Sequence, residues 1–170
     1  TKGGVINGIN VSDEQKITDW SKKMVSGTFE INDNEIIVGK GIAEYFDVKE
    51  NDTLILYGQG YRGMMAAGKY PVAGVIDLKN PDLNKLGIFM TIESARSYVS
   101  SDDISTHIII DKERYYDEIK IVNDLSQTLS EDYEIMTWKE TLPEIEQTIT
   151  ADSAGGLIMA FILYVIVIFG

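Results

Sequence analysis

Residues 157–169 read LIMAFILYVIVIF, thirteen positions without a charge. The uncharged stretch is longer still, because no Asp, Glu, Lys, Arg or His follows Asp152 up to Gly170. A helix that crosses the ~30 Å hydrocarbon core of a bilayer needs about 20 mainly apolar residues. The eighteen from Ser153 to Gly170 supply most of that length. The stretch is therefore read as the start of a transmembrane helix, cut off partway across. A buried core helix is the competing reading, since apolar runs of about 10–14 residues serve that purpose. A core helix with one wet flank would show polar positions there, and this one shows none. A strand does not reach this length, although 165–168 is β-branched throughout.

Working outward, the approach to this helix sets its sidedness. Cytoplasmic flanks carry extra Lys and Arg. Residues 137–152 hold Lys139 against Glu140, Glu144, Glu146 and Asp152. This places residues 1–150 outside the cytoplasm as one α+β domain and 151–170 as the truncated span. The chain begins at Thr1 without Met and without a secretory signal. The expectation is a fragment at both ends, such as an ectodomain between two spans.

The 170 residues suit one domain of ordinary size, with 27 Asp+Glu against 15 Lys+Arg and a net charge of −12. That balance argues against nucleic acid, which needs a basic face. With no cysteine there is no disulfide framework. One histidine leaves no basis for a His/Cys zinc site, so no metal or cofactor is expected.

Before the terminal helix, short strands alternate with short helices. A strand is read at 5–9, followed by a capping box with Ser12 as N-cap and Gln15 three residues on. The helix from there to Met24 puts Ile17, Trp20 and Met24 on one face, and Gly27 ends it. A buried strand at 35–39 turns through Gly39-Lys40-Gly41 into a helix at 42–46. The strand at 52–57 faces Leu54 and Leu56 one way. Residues 58–69, GQGYRGMMAAGK, read as a Gly-rich loop longer than a hairpin connection needs, before a second β-rich run at 72–78. A turn at 81–84, a strand at 87–90 and a helix at 92–99, started favourably by Glu93, follow. A strand at 106–111 buries Ile108, Ile109 and Ile110. A helix at 115–129 carries Ile119, Val122, Leu125 and Leu129 on one face. A strand at 133–136 leads through Trp138 to the final helix. Pro143 suits its first turn, and Leu142, Ile145 and Ile149 make a stripe running into the span. The class is α+β, with mixed small sheets and packed helices.

Two phosphate-binding patterns occur by spelling. Residues 58–63 match G-x-G-x-x-G after a strand, but the helix of ten or more residues that a dinucleotide fold requires is stopped by Gly68 and Pro71. Residues 63–69 match G-x-x-x-x-G-K, but Tyr70 and Pro71 stand where a Ser/Thr and a helix are needed. The loop is read instead as flexible and apolar-tipped, able to touch a partner through Tyr61, Met64 and Met65. His107 lies in a strand pattern and reads as structural. Asp102-Asp103 and Glu131-Asp132 read as solvated loop ends, since spacing alone does not make a carboxylate pair catalytic. Asn10-Val11-Ser12 and Asn51-Asp52-Thr53 match glycosylation acceptors. No catalytic constellation is present.

Several stretches in order resemble the extracytoplasmic, MacB-like periplasmic core domain of FtsX/LolC/LolE/MacB-type ABC transporter permeases. Residues 5–10, VINGIN, are similar to the family's strand end, and Asp13-Glu14 to the acidic helix start that follows. Residues 35–56, EIIVGKGIAEYFDVKENDTLIL, carry the strongest likeness. Asn51 departs from the family's Gly before Asp52, a substitution that a left-handed turn tolerates. Residues 59–61 with 66–72 look like a form of this loop in LolE-like lipoprotein-release permeases of Bacteroidetes type. Trp138-Lys139-Glu140 resembles the approach to the second span.

The resemblance implies a multi-pass inner-membrane protein with four spans, its ectodomain between spans one and two and divided into porter and sabre lobes. It implies no enzymatic activity in this chain. The implied partners are a cytoplasmic ABC ATPase subunit, a second permease copy or paralogue, a lipoprotein or a periplasmic carrier or adaptor, and membrane lipid. The corresponding loop in LolC-like members hooks the lipoprotein carrier, which singles out Tyr61, Arg62, Met64 and Met65. Three activities stay open: lipoprotein release, MacB-type peptide or antibiotic efflux, and FtsX-type activation of a cell-wall hydrolase. A soluble binding module is the wider alternative.

Overall fold

The computed structural model describes residues 1–169 apart from 79, 102, 103, 114, 131 and the side chain of 144. Along the described residues the chain forms β1 (Val5–Ile9), α1 (Val11–Thr18), β2 (Met24–Gly27), β3 (Ile36–Gly39), α2 (Lys40–Phe46), β4 (Thr53–Gln59) and β5 (Met65–Ile76). It continues through α3 (Pro81–Leu86), β6 (Gly87–Thr91), α4 (Ile92–Val99), α5 (Glu118–Thr128), α6 (Trp138–Thr141) and α7 (Pro143–Phe169). Short 3₁₀ turns lie at Trp20–Lys23 and Tyr61–Gly63. The class is mixed α and β, as the alternation predicts. Two compact units divide the chain, Thr1–Ile109 and the remainder from Ile110.

In the first unit the strands run in the order β1-β6-β3-β5-β2, with β4 on β5. β1 and β6 are parallel, as are β3 and β5, and the other pairs are antiparallel. β3 is buried along its whole length, which requires cover on both faces and explains its unbroken Ile-Ile-Val run. Successive side chains alternate between faces. Ile36 and Val38 join one cluster with Ile42 of α2 and Tyr98 of α4. Ile37 joins Trp20, Phe29, Ile76 and Phe89 on the other. There Trp20 meets Phe89 edge-on at 4.7 Å and Phe29 at 5.4 Å.

β5 serves two ladders. Its first half pairs with β4 and its second half lies between β3 and β2. The exchange falls at Pro71, opposite Thr53. Pro71 has no N–H to lose there. Beside it Val72 donates to the Asp52 carbonyl at 2.7 Å and accepts from the Asn51 N–H at 2.8 Å. Gly27, at φ +74°, closes β2 against β5 so tightly that a Cβ would stand 2.0 Å from the Ala73 carbonyl oxygen.

The strand at 5–9 and the helix at 92–99 lie where the pattern puts them. The first helix differs. Its N-cap is Asn10, not Ser12: Asn10 Oδ1 accepts from the Asp13 N–H at 3.3 Å and from Ser12 Oγ at 2.9 Å. It stops at Thr18, because Asp19 turns left-handed, bonded to Gln15 and Lys22. Met24 is therefore a strand residue, and only Trp20 of the expected face is buried. The Lys22 ammonium hydrogen-bonded to Asp19 lowers that carboxyl below its usual range. The expected turn at 81–84 is α3, with Pro81 in its first turn and Asn80 Oδ1 accepting from Asp82 and Leu83.

In the second unit, α5 begins three residues later than predicted, capped by Asp117. Val122 and Leu125 are half-buried, while Ile119 and Leu129 are exposed. No strand forms at 106–111 or 133–136. Ile108, Ile109 and Ile110 are 78, 67 and 61% exposed. Strand propensity is realised only against a partner strand, and none among the described residues pairs with these segments. α6 opens on a capping box between Thr137 and Glu140, whose backbone and hydroxyl bonds lower the Glu140 carboxyl below its usual range. α7 begins at Pro143, the first-turn position read from the sequence, and runs into the apolar stretch without a break. Gly155 and Gly156 sit side by side in it with open space where each Cβ would be.

Burial raises the Tyr70 and Tyr98 hydroxyls above their ordinary pKa of 10.0. A raised folded pKa keeps its stabilising effect below about pH 10 and loses it as pH climbs through the folded value. Denaturant midpoints of the detergent-solubilised protein should therefore fall above about pH 10, and Tyr98→Phe should flatten that decline.

Candidate functional site

The excursion expected at 58–69 is not a loop. β4 and β5 form a hairpin in register from Thr53 opposite Pro71 to Gln59 opposite Met65. Only residues 60–64 turn. The Gly/Ala run that looks flexible is strand, because its alternation suits a sheet with one covered face: Ala66, Tyr70 and Val72 are buried, and Met65, Ala67 and Lys69 are exposed. The small residues let the strand lie close to α4, where Tyr98 Oη donates to the Ala66 carbonyl at 3.4 Å.

The turn is locked by its backbone. Gly60 donates to the Met64 carbonyl at 2.6 Å, and Met64 to that of Tyr61 at 3.3 Å. Arg62 and Gly63 both take positive φ, +55° and +80°. A Cβ on Gly60 would stand 2.9 Å from the Val99 carbonyl oxygen, so the root of the turn rests on the end of α4.

This geometry brings Tyr61, Arg62, Met64 and Met65 together at one tip. Tyr61, Met64 and Met65 are 45, 60 and 87% exposed, and the Arg62 guanidinium lies 5.3 Å from the centre of the Tyr61 ring. Their neighbours Ile55 and Tyr57, both 65% exposed, extend the apolar surface along the outer face of β4. Their alternation with Leu54 and Leu56 is the signal in the sequence that points to them. Within a chain of net charge −12, residues 53–76 contain no Asp or Glu and two cations, Arg62 and Lys69. The tip is a cationic, apolar, amphipathic surface suited to contact rather than to chemistry.

Residues 58–63 end a strand and enter a single 3₁₀ turn, and 63–69 run into β5, so neither Gly pattern opens the helix that holds a phosphate. His107 is exposed, with Nδ1 at 3.0 Å from Thr106 Oγ1, and the strand expected around it is absent. Asn10 caps α1, and Asn51 occupies a left-handed turn at φ +70°. Asp102, Asp103 and Glu131 lie outside the described residues. Among the described residues, no three His, Cys, Asp or Glu side chains converge as a metal site would require. No protein-family model matches the chain, and no curated protein matches it.

Left-handed backbone costs a residue with a Cβ about 1–2 kcal/mol. Arg62→Gly should therefore leave stability unchanged or raise it by up to about 1 kcal/mol, and Gly63→Ala should lower it by about 1 kcal/mol. Denaturant titration of the two variants checks the turn geometry without reference to any partner.

Proposed function

We propose that this chain is the extracytoplasmic part of an ABC transporter permease, leading into a membrane span. It would couple ATP hydrolysis by a separate cytoplasmic subunit to lipoprotein release outside. The observation that carries the membrane half of this reading is α7. Its segment Ile145–Phe169 is 25 residues long, reaches a mean hydropathy of 2.2 and is buried nowhere in the molecule. By length and composition this helix can cross a membrane. From Leu157 to Phe169 the helix is apolar on every side and unburied, which suits lipid as its surroundings.

A 27-residue helix is a rod of about 40 Å. In the proposed mechanism it transmits motion from the cytoplasmic side, and the ectodomain alternates between two arrangements that differ in affinity for a client. The hairpin tip supplies the contact. Tyr61, Met64 and Met65 bury apolar area against a lipoprotein, its carrier or a partner subunit, and Arg62 adds a charge that orients it. The resemblance over residues 35–56 is what favours a permease over other membrane-anchored domains.

The test is purification of the full-length protein from its own membrane with a photo-crosslinker at Met64. The expected result is extraction by detergent but not by carbonate, a stoichiometric P-loop ATPase in the preparation, and a crosslink to a lipoprotein or its carrier. Labelling confined to the permease itself would sink the recruitment role. Release by carbonate without an ATPase would remove the membrane reading altogether.

A further inference from the structure

β4 is an edge strand: its ladder is to β5 alone among the described residues. The bond from the Val72 N–H to the Asp52 carbonyl and that from Gly60 to Met64 fix which residues face β5. In an antiparallel ladder those positions alternate, so the backbone groups of Thr53, Ile55, Tyr57 and Gln59 point away from it. Such a row is a template for another strand. Beside it lies an open groove of about 300 Å³, lined by Leu54 and Leu56 of β4, Ile42 and Phe46 of α2, Ile88 of β6, and Lys2. An unpaired edge next to an apolar groove is the arrangement that β-strand addition uses: main-chain bonds hold the guest and the groove takes its alternate side chains.

The chain itself carries a matching guest. Residues 106–111, THIIID, have strand composition, join no ladder, and expose three consecutive isoleucines. We infer that β4 accepts residues 106–111 of a second copy of this chain. Ile108 and Ile110 then lie over the groove, and Ile109 over Ile55 and Tyr57 on the opposite face. The charges agree as well. Lys2 lines the groove beside the edge, the hairpin carries Arg62 and Lys69 and no acid, and Asp111 brings a carboxylate to it. This contact stands whether or not the transporter reading holds.

Residues 1–170 contain no cysteine, so engineered pairs report cleanly once any cysteine elsewhere in the full-length protein is replaced by serine. Two differently tagged full-length copies are co-expressed in membranes, one with Ile55→Cys or Tyr57→Cys and the other with Ile109→Cys. Ladder neighbours have Cα atoms about 4.5–5.5 Å apart, within disulfide reach. The expected result is an inter-copy disulfide from one of the β4 positions, absent when the first cysteine is moved to exposed Tyr45 on α2. A second substitution in the donor, His107→Pro, should cut its yield about tenfold, because in an antiparallel pair with Ile109 opposite Ile55 or Tyr57 the N–H groups of residues 107, 109 and 111 face β4. Disulfides only between copies that carry the same cysteine, equal yield from Tyr45, or no disulfide at all would each overturn the inference.

Discussion

A proline cannot donate to a β-ladder, and this fold turns on where its one strand proline sits. β5 is twelve residues long and has to satisfy β4 in one half and both β3 and β2 in the other. Pro71 stands at the exchange, and the ladder resumes at Val72 through the Asn51 and Asp52 backbone. If β5 slipped by one residue, Val75 and Ile76 would each face the cluster the other now fills, since strand side chains alternate faces. The two apolar clusters therefore depend on the same register that projects the hairpin.

The hairpin is an extension of the core and not an appendage to it. Its inner face enters the larger cluster through Leu56, Ala66 and Tyr70. Its turn rests on the last residue of α4, and Tyr98 reaches across to Ala66. A tip held in this way presents Tyr61, Met64 and Met65 with little conformational freedom left to lose on contact, which favours affinity. The same order comes at the expense of two positive φ angles in succession.

Elements that carry their own signals were legible in the sequence. The strand at 5–9, the buried strand before Gly39 and the helix at 92–99 each combine periodicity with a local stop or cap. The misreadings are those where a distant partner decides. The Gly/Ala run at 65–69 looks like loop until β4 supplies its other side. Ile108, Ile109 and Ile110 look like a core strand, but propensity does not create the neighbour that a strand needs. Ser12 and Asn10 are both good caps, and only backbone geometry chooses between them. Tyr61, Arg62, Met64 and Met65 were readable as an exposed set, yet their convergence on a five-residue turn was not, because it follows from pairing seven residues deep.

α7 contains two adjacent glycines where the polar first half of the helix gives way to the apolar second half. Each weakens a helix by about 1 kcal/mol relative to alanine, and neither has a neighbour within 4 Å to brace it. The rod thus has one compliant joint, at Gly155-Gly156. Thrust along the axis passes through such a joint, since the backbone hydrogen bonds are loaded lengthwise. Bending moments are dissipated there instead. Mechanically, the helix resembles a pushrod with a universal coupling more than a crowbar.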